Sequence, residues 1–219
     1  MSFEALLFDL DDTLYPSTTG IWQAIGVRMD EFIVTNLGID KQNVQQLRDN
    51  LWHEYGTTLR GLKIRYDIDE LEFLDYVHDI PIENYLRNDE MLMRTLSLYD
   101  ERKVIFTNAN QGHAKRVIAA LGLDGTFEQI IDILQISPYC KPFPEAYARA
   151  QELAQIQNPG ECIVIDDAPR NLETAHRLGY FTIQVGTETR SPYADAAIFS
   201  LYDLLDVLPV TRGGQGQAG

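Results

Sequence analysis

A chain of 219 residues with 45% hydrophobic and 23% charged side chains is long enough to bury a full core and has the proportions of an ordinary soluble globular protein. Its 33 acidic residues against 18 basic ones leave a formal charge of −15, which excludes a reader of nucleic-acid backbones, because phosphate polymers demand a basic footprint. A small phosphorylated ligand would also meet an unfriendly field, so its site must supply positive charge locally.

The opening segment MSFEALLFDLDD has too short an apolar run and the wrong charge for a secretory signal, and no stretch approaches a membrane span. The two cysteines, Cys140 and Cys162, lack zinc spacing and are too few for a disulfide framework; Cys162, within Cys162-Ile163-Val164-Ile165, is expected to be a small buried hydrophobe. These features predict a cytoplasmic protein with neither membrane nor nucleic-acid polymer as partner.

In chain order, ALLF (5–8) is the first predicted strand. From 16 to about 95 the pattern is helical: GIWQAIGVRMDEFIVTNLG, KQNVQQLRDNLWHEYG and DELEFLDYVH show no convincing strand. Such a length exceeds any normal crossover and predicts an inserted all-α cap over the carboxyl end of a sheet. Strands follow at KVIFT (103–107), QIIDIL (129–134), ECIVID (161–166) and FTIQV (181–185), with AAIFS (196–200) as a further strand and a closing helix at Leu201 to Leu208. Helical QGHAKRVIAALGL, PEAYARAQELAQI and PRNLETAHRLGY lie between them. This alternation predicts an α/β fold, a Rossmann-type parallel sheet flanked by helices. Segments 1–15 and 96–210 would form the catalytic core and 16–95 the cap, while 211–219, Gly- and Gln-rich, is expected to be disordered.

Ligands of open parallel sheets bind outside the carboxyl ends of the strands, and chemistry-bearing residues gather there. The first strand ends in Asp9-Leu10-Asp11-Asp12-Thr13, the second in Thr107-Asn108-Ala109-Asn110, and the fourth in Asp166-Asp167 with Asn171 beyond; Ser137-Pro138-Tyr139-Cys140-Lys141-Pro142 follows the third. Like charges 4 Å apart repel by about 4 kcal/mol at an effective dielectric near 20, so carboxylates from two strand ends become tolerable when a divalent cation lies between them. All-oxygen ligands favour Mg²⁺ over zinc. Asp9 is then a candidate nucleophile, and Asp11 a candidate proton donor to the leaving alcohol and acceptor from water. Thr107 and Asn108 would hold phosphate oxygens, and Lys141 would bind the phosphoryl group and keep Asp9 ionised. Asp166 and Asp167 face the same region, with Asp167 favoured as the direct metal ligand and Asn171 orienting it.

Asp9-x-Asp11-x-Thr13, Thr107-Asn108, Lys141-Pro142 and Asp166-Asp167 resemble, in order, the four motifs of the haloacid dehalogenase superfamily, and the helical insertion resembles that superfamily's C1 cap. LLFDLDDTLYP, LWHEYGTTLRGL, IFTNANQGHAKRVIAALGL and CKPFPEAY look similar to the pyrimidine 5′-nucleotidase-type branch. The resemblance implies Mg²⁺-dependent phosphomonoester hydrolysis through an aspartyl-phosphate, acting on a nucleoside monophosphate or similar small metabolite. It implies a metal held by Asp9, the backbone carbonyl of Asp11, and Asp167, with Thr107, Asn108 and Lys141 binding phosphate. The superfamily's Gly before the motif-one Thr is here Asp12.

Tyr55, Thr57 and Thr58, in YGTT, either face the leaving group or, through Gly56 and Thr57, turn and cap the next helix; both readings stay open. His53, His78, His113 and His176 show no metal or triad spacing and are expected at surface or packing positions, and Trp22 and Trp52 are expected in the core of the cap. Rival readings are a phosphatase for another metabolite (a sugar phosphate, FMN or pyridoxal phosphate), a 2-haloacid dehalogenase, a phosphomutase, and a receiver-like phospho-aspartate module.

Overall fold

Strand β1 (Ala5–Phe8) is buried along its whole length and lies at the centre of a parallel sheet, in a computed structural model that describes residues 3–210. The tail expected at 211–219 falls outside the described residues. Strands β2 (Arg102–Phe106), β3 (Gln129–Ile131), β4 (Cys162–Asp166), β5 (Phe181–Val185) and β6 (Ala196–Ile198) complete a six-stranded sheet in the order β3-β2-β1-β4-β5-β6.

The period-two alternation of each strand sorts its side chains onto two buried faces. Leu6, Phe8, Ile105, Ile163 and Ile165 enter one core, while Ala5, Leu7, Val104, Phe106 and Val164 enter the other. Cys162 is fully buried in the second core, as its apolar neighbours led one to expect.

Between β1 and β2 the described chain is helical. Helices α1 (Ile21–Leu37), α2 (Lys41–Tyr55), α3 (Thr58–Tyr66) and α4 (Glu70–His78) pack on one another, and α5 (Glu90–Leu96) lies against the segment Leu201–Asp203. Gly38 and Gly56 end α1 and α2 at positive φ, and Asp40, Thr57 and Asp69 cap the helices that follow them.

The remaining crossovers are α6 (Gln111–Ala120), α7 (Ile133–Ile136) with α8 (Pro144–Leu153), and α9 (Pro169–Arg177). The sheet ends in β6, then a single turn of tight helix, Leu201–Asp203, and α10 (Leu204–Val207), where one closing helix was expected. Strand β3 is shorter than the run QIIDIL suggests. Asp132 leaves the sheet to cap α7, its carboxylate accepting from Gln135 N at 3.0 Å and, with its other oxygen, from Gln111 N at 2.8 Å. A capping box outcompetes the apolar pattern there.

Register fixes what meets at the sheet's carboxyl edge. Phe8 is paired with Ile105 on one side and Ile165 on the other, so the chain leaving β1 emerges beside Thr107 and Asp166. Strands are added to opposite sides of the β1–β4 pair, which makes this edge the point where open α/β sheets bind their ligands.

Candidate active site

Lys141 is the hub of the edge. Its side chain is almost wholly buried, with Nζ 2.8 Å from Asp9 Oδ1 and 2.7 Å from Asp166 Oδ2. The loop holding it is locked from the β2 side: Asn108 Nδ2 donates to Lys141 O at 3.0 Å, and Lys141 N donates to Asn108 Oδ1 at 2.9 Å. The side chain of Asn108, expected on a phosphate, thus uses its oxygen and one N–H in placing Lys141, which leaves its second N–H for a ligand. Thr107 is buried, and its hydroxyl accepts from Ala109 N at 3.0 Å; both residues border the main cavity.

Asp9, Asp166 and Asp167 each bring a carboxylate oxygen within 4.8 Å of the others, a geometry that fits a metal ion. The three do not offer equal capacity. Asp166 is fully buried, with Oδ1 accepting from Ala168 N at 2.9 Å and from Asn171 Nδ2 at 2.9 Å, while Oδ2 takes Lys141 Nζ and Asn171 Nδ2 at 3.0 Å. These donors engage both of its oxygens and hold it against Lys141. Asp167 has no such side-chain donors among the described residues; its backbone N donates to Thr13 Oγ1 at 3.1 Å, tying the β4 loop to the β1 loop. One expectation is corrected here: Asn171 orients Asp166, not Asp167, because one turn of α9 places its amide beneath the last residue of β4.

The electrostatics agree with a cation site. Burial pushes Asp9 well above the ordinary carboxylate range; Lys141 pulls against this, while Asp166 and Asp167 add to it. Burial, then the charges of Asp166 and Asp12, raise Asp167 to about 7. Burial and Asp11 likewise raise Asp12 to about 6. Lys141 behaves oppositely: burial alone would lower its pKa, and the carboxylates of Asp166 and Asp9 more than offset that, so it stays protonated. One ammonium does not neutralise this many acids, and a divalent ion would take the place of the protons they otherwise hold. Asp12 itself stands at φ 60°, the left-handed region favoured by glycine and tolerated by Asp, which is where the resembling motif carries Gly.

Asp11 has partners that the sequence reading missed. Its Oδ1 lies 2.8 Å from His113 Nε2 and also accepts from the Tyr15 hydroxyl. Burial alone would raise its pKa, but His113 and the hydrogen bonds from His113 and Tyr15 turn the balance, and the carboxyl is held below its usual range. His113, expected as a surface or packing residue, is buried and stacks on His78 with ring centroids 4.3 Å apart and planes at 18°. No spacing between residues 11 and 113 signals this contact, which depends on α6 starting beside the β1 loop. Its one local trace is Asn110, whose side chain caps α6 through His113 N at 2.9 Å.

Above the acids opens a cavity of about 490 Å³, roofed by α1, α2 and α4. On α2 the residues Gln45, Arg48, Asp49 and Trp52, at helical spacing, all face it. Trp22 (45% exposed) and Trp52 (39% exposed) are cavity-edge residues and not core, which corrects the packing expectation: each borders the cavity and keeps more than a third of its surface exposed. Trp52 has one ring face taken by Arg170, whose guanidinium carbon stands 3.5 Å from the ring centroid. Thr57 accepts from Arg60 N at 3.1 Å, so its capping role is realised, and Thr57 and Thr58 both border the cavity. Tyr55 does not line it; its ring faces Arg65, and its carbonyl accepts from Cys140 Sγ at 3.4 Å.

Among the described residues no helix is long and apolar enough to cross a membrane. The curated Saccharomyces cerevisiae protein named Phosphate metabolism protein 8 is 26% identical over 190 residues, covering 80% of this chain and 59% of that protein, so the chain spans about three fifths of its relative's length. Two solved structures share the fold. The HAD-hydrolase YfnB from Bacillus subtilis bound to magnesium has a TM-score of 0.64 at 16% identity, with 96% of this chain and all of that chain covered (100%). L-2-haloacid dehalogenase from Xanthobacter autotrophicus, with chloropropionic acid covalently bound, has a TM-score of 0.59 at 17% identity, with 94% and 98% covered. The family model of haloacid dehalogenase-like hydrolases matches residues 3–179, and the chain belongs to that family of hydrolases.

Proposed function

We propose that this chain hydrolyses phosphate monoesters with Mg²⁺, through an aspartyl-phosphate on Asp9, and that its substrate is a small phosphorylated metabolite, a pyrimidine nucleoside monophosphate first among them. The observation that carries the reading is the contact of Lys141 Nζ with Asp9 Oδ1 at 2.8 Å beside the carboxylates of Asp166 and Asp167. A nucleophile that must approach an anionic phosphoryl group needs such a counter-charge.

In this reading Asp9 and Asp167, with the backbone carbonyl of Asp11, would hold the metal, which when bound supplies positive charge for the phosphate oxygens. A carboxylate oxygen of Asp9 attacks phosphorus, the ester P–O bond breaks, and the departing oxygen takes a proton from Asp11, which must take up that proton before the step because His113 and Tyr15 favour its ionised form. Water then gives a proton to the Asp11 carboxylate and attacks phosphorus, releasing inorganic phosphate and restoring Asp9. Lys141 pulls Asp9 toward its ionised form against the burial that raises its pKa, and binds phosphoryl oxygens, while Thr107 adds its hydroxyl. The helices from 21 to 78 serve as the cap that excludes bulk water.

Trp22 on the cavity edge, together with the polar Gln45 and Asp49, supports a planar leaving group carrying hydrogen-bonding atoms. The printed name of the yeast relative agrees with phosphate chemistry. The dehalogenase reading shares the fold but has no use for Asp167 or for a proton donor at Asp11. A panel of nucleoside monophosphates, sugar phosphates, FMN and pyridoxal phosphate, scored by released phosphate with and without EDTA, tests the proposal. Strongest release from UMP or CMP, abolished by EDTA and by Asp9→Asn, is expected; activity on 2-haloacids that survives EDTA would overturn it.

A further inference from the structure

Outside the Lys141 cluster, the most unusual arrangement is a buried imidazole with a single polar contact. His113 is 1% exposed; among the described residues its Nδ1 has no partner and its Nε2 meets only Asp11 Oδ1. Burying an imidazole is costly unless it forms a hydrogen bond, so the fold retains this ring against a penalty for that one contact. Opposite the Asp11 carboxylate, Nε2 is the nitrogen that donates.

The ring is also held in plane. Asn110 fixes its backbone at the first turn of α6, and His78, the last residue of α4, stacks on its face. Arg116, one turn along α6, donates to His78 O at 2.9 Å, so the stack is clamped from behind. Both donors to Asp11, His113 and the Tyr15 hydroxyl, converge on Oδ1, and none of the described residues donates to Oδ2. Asp11 borders the cavity.

We propose that His113, backed by His78, is a positioning residue that anchors Asp11 by Oδ1 and presents Oδ2 to the leaving oxygen and to water. The inference rests on the phosphatase reading for the role of Asp11, while the anchoring itself is independent of it. His113 touches no substrate. It acts by removing the rotational freedom of a carboxylate whose alignment decides proton transfer.

The test compares His113→Ala and His113→Gln in the full chain, with p-nitrophenyl phosphate and Mg²⁺. His113→Ala should lose kcat about 10- to 100-fold, as supporting partners of reacting groups usually do, with KM unchanged and Asp9 still captured by beryllofluoride. Gln places an amide donor near the position of Nε2, and His113→Gln should recover most of the lost kcat. Independently of turnover, ¹⁵N spectra of the wild-type imidazoles should show an Nε2-protonated ring that shifts in Asp11→Ala. Equal kcat in wild type and His113→Ala, or a ring resonance indifferent to Asp11→Ala, overturns the inference. A wild type that cleaves no ester but whose ring responds to Asp11→Ala retains the anchor and counts against the phosphatase reading.

Discussion

The ammonium of Lys141 stands 2.7 Å from Asp166 Oδ2, and neither side chain has meaningful contact with solvent. Two opposite charges buried together are tolerable, whereas one alone is not. Lys141→Met should therefore lose turnover and also destabilise the fold by about 3–5 kcal/mol in urea titrations. Adding Asp166→Asn should restore much of the stability while leaving the enzyme inactive. A single variant as stable as wild type would show that water reaches this pair.

Magnesium should be visible as stability. Ligand binding at a hundred times its Kd adds about 2.7 kcal/mol, or roughly 5–10 °C in Tm for a domain of this size. Asp167→Asn should abolish the shift in a thermal melt. Because Asp167 holds its proton up to about 7, protons compete with the ion, and the shift should be larger at pH 8 than at pH 6. A shift independent of pH and of Asp167 would place the ion elsewhere.

His78 gives a pH dependence of opposite origin. Burial first, and then His113, lower its pKa to about 3, so the folded chain keeps this ring neutral where the unfolded chain takes up a proton. The unfolded state thus binds more protons below about 6.5, and stability falls as pH decreases, by about 1.36 kcal/mol per unit. His78→Phe keeps a flat ring against His113 and removes the penalty. Relative to wild type, that variant should gain about 2 kcal/mol between pH 7.5 and pH 5 in urea titrations; parallel curves would refute the assignment.

Trp22 tests the leaving-group side. Trp22→Ala should raise KM for a nucleoside monophosphate about 10-fold, the loss of roughly 1.4 kcal/mol of contact, and leave KM for inorganic-like small esters unchanged. Equal effects on all esters would assign Trp22 to the fold and not to the substrate.

The sheet was legible because strands buried on both faces are written as short apolar runs, and the edge was legible because carboxylates, Thr107 and Lys141 follow those runs at once. What escaped sequence reasoning was relational. Asn171 supports Asp166 instead of its neighbour, a difference of one residue at a strand end that spacing does not resolve. His113 meets Asp11 across 102 positions, and a lone histidine in a helix carries no sign of such a partner. Trp22 and Trp52 looked like core because hydrophobicity says nothing about which face of a helix borders a cavity.

Gly56, at the end of α2, adopts φ 86°, and a Cβ there would come within 2.7 Å of the Phe143 ring and 3.0 Å of Cys140 Sγ. Any larger residue would act as a wedge driven between the roof of the cavity and its floor, quite apart from the backbone penalty. Directed evolution toward new substrates therefore has an unequal landscape: diversity introduced at Trp22, Gln45 and Asp49 alters the chamber's walls, while the same diversity at position 56 pries the chamber open.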